Sequence, residues 1–168
     1  RSLITYLEKE EMNVLLNAPN KKSIQGRKDY ALLLFLYNSG ARASEVCNLL
    51  IKDLSLPRIQ TSMAMATICG KGNKTRRCPL WNSTTTELKR LIENRSENEH
   101  VFLNRSGTPL TRFGVFEMID RVVNIASKKY PKLKEKKISP HVIRHTTASH
   151  LLQAGVDINT IRVWLGHT

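Results

Sequence analysis

The fold is decided by the segment "ISPHVIRHTTASHLLQAGVDINTIRVWLGHT", residues 138–168. Ser139 comes directly before Pro140, an order that is typical of a helix start. Asp157 and Gly166 bracket a second stretch of helical periodicity, because aspartate caps the start of a helix and glycine its end. The segment therefore predicts two consecutive helices.

The first of these helices opens with basic residues, His141, Arg144 and His145. The amino end of a helix already carries free N–H donors and partial positive charge, so a cationic cluster there indicates a bound anion. A phosphate would accept the free N–H groups and pair with Arg144 in bidentate geometry. The alternative is a first turn whose charged side chains simply reach solvent.

A zinc site is a weaker interpretation of the same residues. His141 and His145 have the helical i, i+4 spacing of zinc ligands, but position 142 is valine, where a zinc protease has its catalytic glutamate. Cys47, Cys69 and Cys78 stand in no C-x-x-C pair, so they indicate neither a disulfide framework nor a structural zinc site. We expect no metal and no cofactor.

The composition indicates which kind of anion to expect. Lys and Arg total 27 against 14 for Asp and Glu, which gives a net charge of +13. Such an excess is typical of a protein that binds a polyanion such as nucleic acid, although a basic, merely solvated surface would give the same count. No signal peptide opens the chain, and the apolar run at 31–37 is too short to cross a membrane. We therefore expect a cytoplasmic protein without a membrane partner.

The rest of the chain alternates helices with one region of strands. Helices are predicted at 6–17, 26–40, 43–49, 83–95 and 112–130, a hairpin at 59–81 and a short third strand within 101–111. The predicted fold class is α+β, mainly α-helical with a small three-stranded antiparallel sheet. The chain length suits one domain.

Local signals place several of these boundaries. Thr5 with Glu8, and Thr84 with Glu87, have the spacing of a capping box at a helix start. Phe116 falls on the predicted apolar face of the helix at 112–130. In the hairpin, alternation from Ile59 to residue 69 predicts the first strand.

Two further motifs carry basic residues at rigid positions. In "NSGARASEV", residues 38–46, Arg42 stands at the entry to a helix with Glu45 three residues later. In "CGKGNKTRR", residues 69–77, Lys71 lies in a turn between two glycines, where it could approach a backbone closely and deliver a proton. A solvated hairpin tip is the alternative for Lys71.

Together, and in this order, the motifs "SGARASEVCNLLIKDL", "GKGNKTRRCPL" and "SPHVIRHTTASHLLQAGVDINTIRVWLGHT" resemble the catalytic domain of the tyrosine recombinases. This family includes phage and transposon integrases and the bacterial recombinases that resolve chromosome dimers. The resemblance covers nearly the whole chain. It implies site-specific DNA recombination, integration or excision, by strand cleavage and rejoining through a 3′-phosphotyrosyl intermediate.

The resemblance also implies a role for each site residue. Arg42 and Arg144 would clamp the non-bridging oxygens of the scissile phosphate, and Lys71 would be the general acid for the leaving 5′-hydroxyl. His141 would be the acid/base histidine and His167 a second histidine that bonds the phosphate. The remaining predicted site residues are Glu45, which supports the site, and the DNA contacts Lys74, Arg76, Arg77 and His145.

The family's nucleophile is a tyrosine a short distance beyond the "LGH" motif, and Tyr6, Tyr30, Tyr37 and Tyr130 all lie in other segments. We therefore expect residues 1–168 to be a catalytic domain without the C-terminal segment that carries the nucleophile and without the N-terminal core-binding domain. Such a fragment should bind double-stranded DNA without cleaving it. The resemblance implies a homo-tetramer on DNA for the full-length protein, associated with the nucleoid of a prokaryote or with a mobile element, and a monomer for the fragment.

Two alternatives stay open. A type IB topoisomerase shares the arginine, lysine and histidine set but relaxes DNA as a monomer; the compact chain and its "LGHT" ending favour the recombinase. The other alternative is a DNA-binding module without catalysis, which would use the basic groove for regulation.

Overall fold

The computed structural model describes residues 5–58 and 63–167. The helices are α1 Lys9–Leu16, α2 Ile24–Ser39, α3 Ala43–Cys47, α4 Asn82–Leu91, α5 Arg112–Ala126, α6 Pro140–Gln153 and α7 Ile158–Leu165. The strands are β1 Leu54–Ser55, β2 Met65–Cys69 and β3 Thr75–Pro79. Short 3₁₀ turns occupy Ile51–Asp53, Lys71–Asn73 and Pro131–Lys136. None of the helices in the described part of the chain has the length and hydropathy needed to cross a membrane.

The sheet is three-stranded and antiparallel, in the order β1, β2, β3. The hairpin between β2 and β3 pairs Cys69 with Thr75 next to its turn, as predicted. Ile59, where we predicted the first strand to begin, lies outside the described residues. The α+β class with a small antiparallel sheet is confirmed.

The position of the third strand was predicted incorrectly. The segment 101–111 forms a single bridge, between Leu103 and Pro109, and a second bridge joins His100, directly before the segment, to Leu50. Its loop is closed instead by the Asn104 side chain, whose Oδ1 accepts from the N–H groups of Ser106 and Thr108. The third strand is the two-residue β1, a length at which alternation of side chains gives no signal.

Helix α2 is the central core element, as its composition predicts. Its residues Leu33, Phe35 and Leu36 are completely buried. It packs against α6 on one side and α4 on another, and α1 and α5 complete its surroundings. Ser23 caps the start of the helix by accepting from the Gly26 N–H, and Gly40 ends it in the left-handed conformation, with φ of 65°.

Two helix starts differ from the prediction, one through a local capping contact and one through a tertiary contact. Helix α1 begins after Glu8, whose N–H donates to the Glu11 carboxylate at 2.8 Å, so Thr5 is not its cap. Helix α4 begins after Trp81, whose N–H donates to Asn38 Oδ1 at 2.8 Å, and this contact places the cap three residues before Thr84. Thr84 is therefore inside the first turn and completely buried.

The buried face of α5 also differs by one position from the prediction. Phe116 is 44% exposed, whereas Val115, Met118, Ile119 and Val122 fill the core. Apolar residues stand on both sides of this helix, so periodicity alone cannot decide which side faces inward.

A buried polar network joins α6 to the segment before α1. His150 contacts the Leu7 carbonyl through Nε2 at 2.8 Å and the Tyr37 hydroxyl through Nδ1 at 2.6 Å. A carbonyl oxygen can only accept, so Nε2 carries the proton and Nδ1 accepts from Tyr37. Thr146 Oγ1 accepts from the Leu7 N–H at 2.9 Å. The N–H and the carbonyl of Leu7 therefore both have hydrogen-bond partners.

This network predicts how stability depends on pH. Burial lowers the pKa of His150 below its usual value of 6.5, although the Leu7 carbonyl opposes the shift. The unfolded chain then takes up the proton more readily than the folded one, so the free energy of unfolding should fall as pH decreases below about 6.5. Urea unfolding at pH 7.5 and 5.5 measures this loss.

His150→Gln should be less stable than wild type at pH 7.5 but should lose less stability between the two pH values. Thr147→Val, which removes a buried hydroxyl on the same helix that donates to the Tyr37 carbonyl at 2.6 Å, should lower stability equally at both pH values and so lose as much between them as wild type. If His150→Gln lost as much stability as wild type between the two pH values, or more, His150 would not be the source of the pH dependence.

Candidate active site

Arg42 is held at the entry to α3, where the sequence "GARASEV" places a tight turn. Gly40 makes this turn possible, since a Cβ there would lie 2.2 Å from Leu165 Cδ2 and its φ of 65° disfavours other residues. The Arg42 N–H donates to Glu45 Oε1 at 2.8 Å, and its guanidinium lies 3.5 Å from Glu45 Oε2. The side chain remains 48% exposed, so this guanidinium is available to a ligand.

Arg144 is oriented by the carboxyl ends of two helices. Its Nη1 donates to the Gly40 carbonyl and its Nη2 to the Leu165 carbonyl, each at 2.6 Å. Carbonyls at helix ends lack partners within the helix, so they suit an arginine donor. The residue is only 5% exposed. Burial and the two hydrogen bonds hold the guanidinium beside the turn that carries Arg42.

The charge on Arg144 comes at an electrostatic cost. Burial lowers its pKa to about 10, and the positive charges of Arg42 and Arg76 contribute to the shift. The group still stays protonated at neutral pH. Nearby cations that repel one another in a partly buried site are stabilised by an anion, which is the property expected of a phosphate site.

Lys71 lies in the hairpin turn between β2 and β3. The turn is closed by the Gly70 N–H, which donates to the Lys74 carbonyl at 2.7 Å. Gly72 and Asn73 adopt left-handed conformations, with φ of 71° and 59°. The tight turn leaves the Lys71 and Lys74 side chains exposed.

One open cavity of about 900 Å³ collects residues from all three motifs. It is lined by Arg42 from the turn before α3, by Lys71 and Lys74 from the hairpin, and by His167 from the end of α7. The sequence separation of these residues is large, so the fold alone brings them together. Ser44 and Asn48 also line the cavity; they lie four residues apart, on one side of the α3 region, which is the signal that could have indicated them.

His141 and His145 form a pair beside this site. Their Nε2 atoms are 2.8 Å apart and their rings meet edge to face, with centroids 4.3 Å apart. Burial lowers the pKa of His145, and the charges of His141 and Arg144 add to the effect. Among residues 5–58 and 63–167, no group of three or more His, Cys, Asp or Glu side chains is placed to share a metal ion.

His167 follows Gly166, which ends α7 with φ of 74°. Its backbone N–H donates to the Arg162 carbonyl at 2.9 Å, which completes the helix end and turns the exposed side chain toward the cavity. Burial lowers the pKa of His167, and the neighbouring Arg144 and Arg42 lower it further. A neutral imidazole beside two arginines can donate one hydrogen bond to a phosphate oxygen.

The two arginines of β3 lie in different environments, as alternation in a strand requires. Arg77 is exposed and is not among the residues that line the cavity. Arg76, which we predicted to contact DNA, has a side chain only 9% exposed and donates to Glu45 and to the Trp164 carbonyl. Its partners stand 31 and 88 positions away in the sequence, so no local pattern could have indicated them.

Comparison with known proteins gives a consistent result. The model of the phage integrase family matches residues 5–168. The chain is 37% identical to the integrase/recombinase y4rC of Sinorhizobium fredii over 99% of its length, and 33% identical to the tyrosine recombinase XerD of Halalkalibacterium halodurans over 94%. It spans about half the length of these relatives, 50% and 52%.

A solved structure shares the fold as well. The XerH site-specific recombinase, bound to its difH substrate in a pre-cleavage complex, superimposes with a TM-score of 0.79 at 25% identity. The match covers 100% of this chain and 49% of that one. The chain thus belongs to the phage integrase family and has the fold of a tyrosine recombinase catalytic domain.

Proposed function

We propose that this chain is the catalytic domain of a site-specific recombinase that cleaves and rejoins double-stranded DNA through a 3′-phosphotyrosyl intermediate. The observation that carries the proposal is the meeting of Arg42, Lys71 and His167 at one cavity, with Arg144 fixed beside it by two helix ends. The XerH structure supports it, because that recombinase is bound to a DNA substrate.

In the proposed reaction a tyrosine oxygen attacks the scissile phosphorus, and the bond from phosphorus to the 5′-oxygen breaks. Negative charge builds on the non-bridging oxygens, where Arg42 and Arg144 would stabilise it without moving. Lys71 would give its proton to the departing 5′-oxygen, and His141 would take the tyrosine proton. His167 would donate a hydrogen bond to the phosphate.

We propose that the tyrosine and a DNA-clamping domain belong to sequence flanking residues 1–168. Support comes from the curated relatives, which are about twice as long as the matched part. Residues 1–168 alone would then bind DNA without cleaving it.

We further propose that the whole protein acts as a homo-tetramer on DNA in the bacterial cytoplasm, at the nucleoid, whereas residues 1–168 alone are monomeric. Recombination of two duplexes breaks four strands, and each strand needs its own nucleophile. The relatives are bacterial proteins, which supports the location.

DNA binding by residues 1–168 should depend steeply on salt. Each phosphate neutralised by a lysine or arginine releases condensed counterions and adds about 0.9 to the slope of log affinity against log salt. With the exposed cations of the cavity we expect a slope of about 3 or more in magnitude. Fluorescence anisotropy with a labelled duplex between 50 and 200 mM salt, a range suited to such slopes, measures it.

Lys74→Gln should reduce the slope by about one unit, because Lys74 is exposed at the mouth of the cavity. Lys89→Gln is the matched control and should leave the slope unchanged, since this exposed lysine on α4 is not among the residues that line the cavity. A flat salt profile for the wild-type chain would contradict binding along a DNA backbone.

A further inference from the structure

Arg76 ties together three elements that carry proposed site residues. From β3, its Nη1 and Nη2 donate to the two carboxylate oxygens of Glu45 in α3, at 2.8 and 3.2 Å. Its Nε donates to the Trp164 carbonyl in α7 at 2.9 Å. One guanidinium therefore links the hairpin of Lys71, the helix that follows Arg42 and the helix that precedes His167.

Two glycines fit closely around this ion pair. A Cβ on Gly70 would lie 2.8 Å from Glu45 Oε2, and a Cβ on Gly166 would lie 2.9 Å from Arg76 Cδ and Nη1. Gly70 directly precedes Lys71 and Gly166 directly precedes His167. The backbone of each of these residues thus rests against the Glu45–Arg76 pair.

The pair also determines how Glu45 interacts with Arg42. Burial raises the pKa of Glu45, but hydrogen bonds from Arg76 and Arg42 together with their charges hold it below its usual range, so the carboxylate is ionised. Arg76 takes both of its oxygens, whereas the Arg42 guanidinium approaches only one, at 3.5 Å. A bidentate partner makes the carboxylate a poor competitor for Arg42.

We propose that Arg76 is a positioning residue: it occupies the Glu45 carboxylate, so that the Arg42 guanidinium stays free for the scissile phosphate, and it locks the Lys71 hairpin to the end of α7. This inference rests on the proposed function. It differs from a DNA contact, because Nε, Nη1 and Nη2 of Arg76 already donate to the Trp164 carbonyl and to the Glu45 carboxylate.

The test uses the protein with its natural flanking sequences and a nicked DNA substrate at saturating concentration. Arg76→Gln should reduce the single-turnover rate constant of cleavage by about 10-fold to 100-fold, since displacement by about 1 Å has effects of this size. The salt slope of DNA affinity should return to the wild-type value when Glu45→Gln is added to Arg76→Gln, because Arg42 is then free again and Arg76 itself contacts no phosphate. Arg76→Lys should recover only part of the rate, as one ammonium cannot bond both oxygens and the Trp164 carbonyl.

Arg121→Gln is the matched control. Arg121 forms a bidentate pair with the buried carboxylate of Asp29, at 2.9 and 2.8 Å. Loss of this pair in Arg121→Gln should lower the melting temperature about as much as Arg76→Gln does. Cleavage at saturating DNA and at a temperature well below melting should remain near the wild-type rate. An equal loss of cleavage in Arg121→Gln would show that stability alone explains the Arg76 effect and would overturn the inference.

A double variant tests the competition for Arg42. With Glu45→Gln added to Arg76→Gln, no unpaired carboxylate can capture Arg42, so the double variant should cleave several-fold faster than Arg76→Gln alone. A double variant that is slower than the single one, a salt slope of the double variant that stays one unit below wild type, or wild-type cleavage by Arg76→Gln would each overturn the proposal. A wild-type protein that binds DNA but never cleaves it would instead contradict the proposed function.

Discussion

Replacing Arg42 or Arg144 by alanine should reduce DNA strand cleavage by about 100-fold or more while leaving the protein folded. Both guanidiniums are expected to stabilise charge that develops on the phosphate only in the transition state, so the rate constant at saturating DNA should fall. Arg42 is half exposed and its removal costs the fold little. Arg144 is buried, and its loss leaves the Gly40 and Leu165 carbonyls without their donor, so Arg144→Ala should also melt at a lower temperature.

The control for Arg144 is another arginine that caps backbone carbonyls. Arg95 donates to the carbonyls of Leu91, His100 and Val101, away from the cavity. Arg95→Ala should therefore lose stability yet cleave DNA near the wild-type rate in a single-turnover assay below its melting temperature. Normal cleavage by Arg42→Ala or by Arg144→Ala would contradict the phosphate clamp.

Lys71→Ala should slow cleavage by about 100-fold to 10,000-fold, the range for loss of a general acid, and the loss should depend on the leaving group. An alcohol oxygen leaves poorly without a proton, whereas a thiol, with a pKa of about 8.5 in cysteine, leaves readily as the thiolate. A DNA substrate with sulfur in place of the bridging 5′-oxygen should therefore restore cleavage by Lys71→Ala to within about 10-fold of wild type.

The same substrate should not rescue Arg144→Ala, because that arginine acts on the non-bridging oxygens. Lys74→Ala, three residues after Lys71 in the same hairpin, should weaken DNA affinity. The ratio of its cleavage rates on the sulfur and oxygen substrates should equal that of wild type. If Lys71→Ala loses the same factor on both substrates, Lys71 is not the general acid.

Sequence signals were sufficient where local chemistry decides the structure. Ser139 accepts from the Val142 N–H and Asp157 from the N–H groups of Asn159 and Thr160, as their positions before helices predict. Gly40 and Gly166 end their helices in the left-handed conformation. These caps position the turns that carry Arg42 and His167, so much of the cavity could be predicted.

Long-range contacts decided what the sequence could not show. The capping-box spacing at Thr84 was overridden because Asn38, 43 positions before Trp81, fixes the start of α4. The Glu45–Arg76 pair forms across 31 positions in the sequence. Sequence signals therefore could not distinguish Arg76 from the other basic residues of the hairpin. Alternation in β3 does predict that Arg76 and Arg77 face opposite sides, but it does not say which side is buried.

Covalent capture of DNA tests the central claim most directly. The protein with its natural flanking sequences is incubated with a nicked duplex, which lets the cleaved strand diffuse away, and the products are separated on a denaturing gel. The account predicts a covalent protein–DNA band that is linked through a tyrosine and disappears in Arg144→Ala. Tight DNA binding on several candidate sites without any covalent band would contradict it and would favour a DNA-binding module without catalysis.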